Sequence, residues 1–204
     1  MTKLPTKKKL RNSNKNAGFK VTGIPREEKK LLIINVNFTL FDSLSSVDEF
    51  YGRPFLHIFL GKMYKYYDIG LWTSTTMERL EGHVSKLDIE NHPDYKILFY
   101  ADASVTVDVK MSHGLTVQVK PLDTIWKRFP QYNSTNTLLC DAMEDNFFFN
   151  PLNGILVEPY YYDLYKEDDE FLKLAPYLEW VAQFKDVTKI NHKIWETRIV
   201  ADSY

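Results

Sequence analysis

The chain has 204 residues, 44% of them hydrophobic and 15% aromatic, which is material for one sizeable core and excludes a wholly disordered protein. The formal charge is −1, yet residues 1–20 hold seven of the 26 basic residues and no acid, leaving 19 basic residues against 27 acids in the remainder. An acidic body of this kind argues against bulk nucleic-acid binding; the lone Cys140 excludes an internal disulfide, and no apolar run approaches the roughly 18 residues that span a membrane.

Residues 1–25 are polar and basic without an apolar period, so they read as a disordered arm, followed by one domain over 26–204. Within the arm, Lys7-Lys8-Lys9-Leu10-Arg11 has the composition of a nuclear import signal or of a solubilising tail. With a single cysteine and no signal segment, the expected location is nuclear or cytoplasmic. The continuous apolar run Leu31–Ile34 predicts a strand buried on both faces. Pro54 suits a first helical position, and Phe55, Leu56, Phe59, Leu60 and Met63 recur at helical spacing behind it. A strand over Ile69–Trp72, a helix over Thr76–Leu87 and a strand over Ile97–Tyr100 follow. Alternating valines over 104–120, around Ser112-His113-Gly114, predict a β-hairpin. Then come a helix over Leu122–Phe129, strands over Thr137–Cys140 and Gly154–Val157, and a helical region from Asp168 to about Ile199. Breaks are expected in that region near Pro176 and Asp186. The fold class is α/β: a doubly wound, mostly parallel, Rossmann-like sheet with an inserted hairpin.

Ligands of such sheets sit beyond the carboxyl ends of the strands. The residues there are Asn35–Thr39, Thr73 and Asp141, with Lys120 after the hairpin. Cys140 reads as a buried inert thiol, and His57, His83, His92, His113 and His192 show no metal-ligand spacing. The acidic run Glu167–Glu170 reads as the charged first turn of a helix.

The segment INVNFTLFD (34–42) has the frame D-x-D-x-T with asparagine at both acid positions. With RPFLHIFL (53–60), YDIGLWTSTT (67–76), VKPLDTIWKRFP (119–130), NTLLCDAMEDNFFFNPLNG (136–154) and NHKIWE (191–196), it resembles the FCP-homology (CTD-phosphatase-like) domains of the haloacid dehalogenase superfamily. The likeness is greatest to the phosphatase domain of the ubiquitin-like-domain-containing CTD phosphatases and covers roughly residues 26–200. It implies that the ubiquitin-like domain is missing and that the basic arm stands in its place.

What the resemblance implies is a Mg²⁺-dependent protein Ser/Thr phosphatase working through an aspartyl phosphate. Asn35 would occupy the nucleophile's position, and Asn37 that of the acid/base. Thr73 and Lys120 would hold phosphoryl oxygens, and Asp141 would bind the metal together with positions 35 and 37. Ala142 stands where a second acid is expected.

An amide oxygen is neutral and its lone pair is delocalised, so Asn35 lacks the carboxylate that covalent phosphoryl capture needs. Loss of a nucleophile typically costs about 10⁴–10⁶ in rate. An amide at position 37 cannot cycle a proton, a contribution usually worth roughly 10²–10⁴. Mg²⁺ prefers carboxylate oxygens, and only Asp141 remains to supply one, so weak or absent binding is expected. The expected function is therefore a pseudophosphatase that binds a protein or a phosphate, with a protein or phosphopeptide as the expected partner. The alternatives are an active phosphoprotein phosphatase and a scaffold, for instance one associated with the proteasome.

Overall fold

A computed structural model describes residues 18–45, 50–111, 114–163 and 167–201. Six strands form the central sheet in the order β1-β4-β3-β2-β7-β8. They are β1 (Phe19–Val21), β2 (Lys30–Asn35), β3 (Tyr67–Trp72), β4 (Ile97–Ala101), β7 (Thr137–Asp141) and β8 (Gly154–Leu156). All neighbouring pairs are parallel except β1 with β4. The hairpin β5 (Val107–Lys110) and β6 (Thr116–Val119) is inserted between β4 and β7 as a separate two-stranded sheet.

The apolar run of β2 is continuous because both faces of the sheet are covered. Leu32 and Ile34 pack into a core with the helices α1 (Leu56–Tyr64), α2 (Met77–Lys86) and α4 (Glu170–Val181). Leu31 and Ile33 point the other way, towards Leu122 and Ile125 of α3 (Leu122–Arg128) and towards Phe129 and Tyr132. Among the described residues no helix is long and apolar enough to cross a membrane.

Four local expectations need correction. Residues 18–25 depart from the disordered arm expected over 1–25, because Phe19–Val21 pairs with β4 and the Phe19 ring stands edge-on to Phe99 and Phe129. Gly18, at φ +82, opens this strand, and a Cβ there would collide with Ser104 and Val105. Residues 1–17 and the hairpin tip Ser112-His113 lie outside the described residues. Pro54 does not start a helix; α1 begins at Leu56 after Phe55, held at φ 63. Val105 belongs to a short 3-10 turn, Ala103–Val105, rather than to the hairpin. Finally, α4 runs through Pro176 without a break, since that residue lies on the exposed face, where the carbonyl left without its amide partner faces water. The break near Asp186 does occur, and its carboxylate accepts from Thr188 N. A seven-residue helix, α5 (Trp195–Ala201), closes the described chain.

Candidate functional site: the carboxyl edge of the sheet

Asn35 is the last residue of β2 and is paired in register with Trp72, the last residue of β3; Asp141 ends β7. Asn35, Asp141 and Thr73, which follows Trp72, therefore emerge from one edge of the sheet, around β2, from which the chain runs outward through β3 and β4 on one side and β7 and β8 on the other. Lys120 directly follows β6, so the hairpin delivers the ammonium to the same place.

The sequence after β2 turns sharply. Phe38 takes φ 58, a left-handed conformation that costs a bulky residue energy and persists only where its surroundings fix it. Here the fixing is by hydrogen bonds: Phe38 N donates to Phe41 O, and Tyr160 N donates to Phe38 O at 2.8 Å. The turn brings Asn37, Thr39 and Asn35 together.

The Asn35 amide is held at both ends. Its Nδ2 donates to Asn37 O at 2.8 Å and to Thr39 Oγ1 at 3.2 Å, while its Oδ1 accepts from Lys120 Nζ at 2.6 Å. Lys120 Nζ also donates to Asp141 Oδ2 at 2.6 Å, and both side chains are fully buried. Burial pushes the Lys120 ammonium below its ordinary range, with Asp141 pulling the other way. Asn146 Nδ2 donates to Asp141 Oδ2 at 2.7 Å, and Met143 N donates to Asp141 Oδ1 at 3.0 Å. On the other side, the buried Thr73 hydroxyl donates to Asn37 Oδ1 at 2.7 Å. All five predicted residues thus join one hydrogen-bonded cluster.

Three contributors were not singled out from the sequence. Thr39 carried a signal, being the threonine of the D-x-D-x-T frame. Asn146 carried none, because its role depends on the 3-10 turn Glu144–Phe147 folding back onto Asp141. Arg53, fully buried, makes paired bonds to Asp168 at 2.8 and 2.7 Å, and its backbone N donates to Leu40 O, tying the turn to the segment before α4. The acidic run at 167–170 is therefore no simple charged turn: Asp168 holds Arg53, and Glu170 is buried with its carboxyl raised by desolvation.

The donor set does not suit Mg²⁺. Among the described residues no group of three or more His, Cys, Asp or Glu side chains assembles as a metal site. Asp141 is the cluster's one carboxylate, and its two oxygens already accept three donors. The amide oxygens of Asn35 and Asn37 are each occupied by a donor as well. A hard divalent ion would have to displace an ammonium to reach oxygens that bring a single negative charge.

The remaining titratable candidates serve structure. Cys140 is buried within β7 and its thiol is pushed up by desolvation. His192 lies between Tyr177 Oη and Val187 O, and His57 stacks on His92. Asp42, seven residues beyond Asn35, accepts from the backbone N–H groups of Leu44 and Tyr162.

Comparison with known proteins gives this arrangement its lineage. The family model described as NLI interacting factor-like phosphatase matches residues 23–188. Ubiquitin-like domain-containing CTD phosphatase 1 of Xenopus tropicalis is 36% identical over 197 residues, covering 94% of this chain and 62% of the relative. The Homo sapiens protein of that name is 37% identical over 177 residues, covering 84% and 56% respectively. The chain thus spans about six-tenths of the length of these relatives. In fold it is similar to Fcp1, an essential RNA polymerase II CTD phosphatase, with a TM-score of 0.56 at 13% identity over 76% of this chain and 63% of that one. With most of its length matched by the family model and by relatives above 30% identity, this chain belongs to the NLI interacting factor-like, or FCP-homology, phosphatase family.

Proposed function

We propose that this chain is a catalytically degenerate phosphatase that holds a phosphorylated protein by its phosphate without cleaving it. One observation carries the reading: the side chain at the nucleophile's position, Asn35, is a neutral amide locked between Lys120 Nζ and the Asn37–Thr39 turn. It has no anionic oxygen to attack phosphorus and no freedom to approach it.

Electrostatics favours binding over chemistry. Asp141 and Lys120 cancel, and positions 35, 37 and 142 bring no further charge, so the cluster is neutral without a metal. A phosphate there would draw on the Lys120 ammonium, which has a third N–H beyond those given to Asn35 and Asp141, and on the Thr73 hydroxyl once its one proton turns away from Asn37 Oδ1. Cytoplasm or nucleus suits a chain whose one cysteine is buried.

The rival reading is a working Ser/Thr phosphatase, favoured by the names of the relatives and by the retention of Thr73, Lys120 and Asp141. One assay separates the two. With Mg²⁺ present, the native chain leaves an aryl phosphate and a phosphoserine peptide uncleaved, yet binds inorganic phosphate at millimolar concentration. The combined variant Asn35→Asp, Asn37→Asp, Ala142→Asp recovers part of the hydrolysis. Turnover by the native chain equal to the variant's would establish the rival, and no phosphate binding at millimolar concentration would remove the binding role.

A further inference from the structure

The segment that fixes Asp141 also presents an exposed apolar face beside it. Met143 N and Asn146 Nδ2 both donate to the Asp141 carboxylate, so residues 143–146 lie against the cluster. Two backbone bonds, from Asn146 N to Met143 O and from Phe148 N to Asp145 O, continue the tight turn. Phe147 is buried, and its ring leaves no room for a Cβ on Gly154. Asn150 closes the segment, its Oδ1 accepting from Leu122 N at 3.0 Å. The chain from Asp141 to Asn150 is therefore tied at both ends and in the middle.

Its outward side chains are unusual for a turn. Met143, Phe148 and Phe149 are 58, 44 and 46% exposed, and the two phenylalanine rings meet edge to face with their centroids 5.1 Å apart. Two exposed rings in mutual contact make a patch, which scattered single apolar residues do not. Phe148 lies two residues past Asn146, so their Cα atoms are at most about 7 Å apart. Between Met143 and Asn146 stand Glu144 and Asp145, both exposed, and neither forms an ion pair among the described residues.

A bare phosphate is repelled by these two acids, whereas a ligand that brings its own cation is drawn to them. We propose that residues 143–149 are a docking ledge for the residues flanking a phosphoserine, taking a large apolar side chain together with a lysine or arginine. The inference rests on the phosphate-binding reading above and names the class of ligand: a phosphorylated protein segment that is basic and apolar around its phosphate. The two rings meet the apolar side chain, Glu144 and Asp145 meet the cation, and Lys120 with Thr73 meets the phosphate. Weak contacts joined through one short segment reinforce each other, because the second forms at high effective concentration. A ledge tied in this way loses little freedom when it is covered. Its charge also rejects: acidic flanks meet like charge there.

The test uses the full chain, inorganic phosphate and three phosphoserine peptides, flanked on both sides by glycine and serine, by leucine and lysine, or by leucine and glutamate. The leucine–lysine peptide binds at least about tenfold more tightly than the glycine–serine one at low salt, and the leucine–glutamate peptide binds no more tightly than the glycine–serine one. Excess inorganic phosphate displaces the leucine–lysine peptide. The variants Phe148→Ser, Phe149→Ser and Glu144→Gln, Asp145→Asn each reduce its advantage to about threefold or less, with urea midpoints matching the native chain's. A native chain that does not separate lysine from glutamate flanks overturns the proposal, and so does either variant that keeps the full advantage. An unphosphorylated leucine–lysine peptide that binds as tightly as the phosphorylated one also overturns it, since the acids would then be acting without the cluster. Failure of inorganic phosphate to bind the native chain removes the phosphate reading and this inference together, whereas phosphate binding without any preference among the peptides removes the ledge alone.

Discussion

Two buried carboxylates, Asp141 and Asp68, sit at opposite ends of the same sheet, and each meets a cation. At the foot, Asp68 near the start of β3 takes Arg26 Nε at 2.7 Å, the Arg26 backbone N at 2.8 Å and the Tyr132 hydroxyl. Arg26 in turn donates to the carbonyls of Tyr64 and Tyr67 and lies 3.7 Å from the centroid of the Tyr64 ring. At the head, Asp141 takes Lys120, Asn146 and Met143 N. The difference lies in what the pairs connect. The foot joins the entry to β2, the start of β3 and the approach to β7, so it is a fastening. The head joins strand ends to an inserted hairpin at the edge where such sheets carry their ligands. Burial and ion pairing alone do not distinguish a functional cluster from a structural one; position in the topology does.

The largest expected effect falls at the foot. Asp68→Ala leaves Arg26 and Tyr132 without their shared acceptor and lowers stability by about 3 kcal/mol, read as a shift in the urea midpoint. If its loss is no greater than that of a head substitution, the distinction between fastening and site fails. The head substitution to set beside it is Asn146→Ala, which removes one of three donors to Asp141 and leaves Lys120 in place. Its expected cost is about 1–2 kcal/mol by the same measurement.

The two ends were unequally legible in the sequence. Leu31–Ile34, Ile69–Trp72 and Thr137–Cys140 announced themselves because burial on both faces forces an unbroken apolar run, and knowing the strand ends located Asn35, Thr73 and Asp141. The roles assigned to those residues came from the family frame and not from periodicity. β1 was hidden because three residues, Phe19-Lys20-Val21, within a basic stretch carry no period; pairing with β4 and the aromatic contact to Phe99 hold it. Asp68 and Arg53 were hidden for another reason. Their partners lie 42 and 115 residues away, and no local pattern encodes such a pairing.

Divalent metal sharpens the comparison at its smallest scale. Neither cluster of the native chain should respond to Mg²⁺: the foot has no open face toward a ligand edge, and the head offers one carboxylate already held by an ammonium and two amides. The variant Asn35→Asp, Asn37→Asp, Ala142→Asp adds three negative charges at the head alone. Without metal these charges repel one another and Asp141, so the variant starts less stable than the native chain. Mg²⁺ that binds its folded form and not the unfolded chain then stabilises it by about 1.4 kcal/mol at a concentration tenfold above its Kd. Thermal melts from 0 to 10 mM MgCl₂, with CaCl₂ at matched ionic strength as the control, read this directly. A native chain whose melting temperature rises with Mg²⁺ as steeply as the variant's would mean that amide oxygens suffice to hold the ion, and the neutral cluster that the proposed phosphate binding requires would be lost.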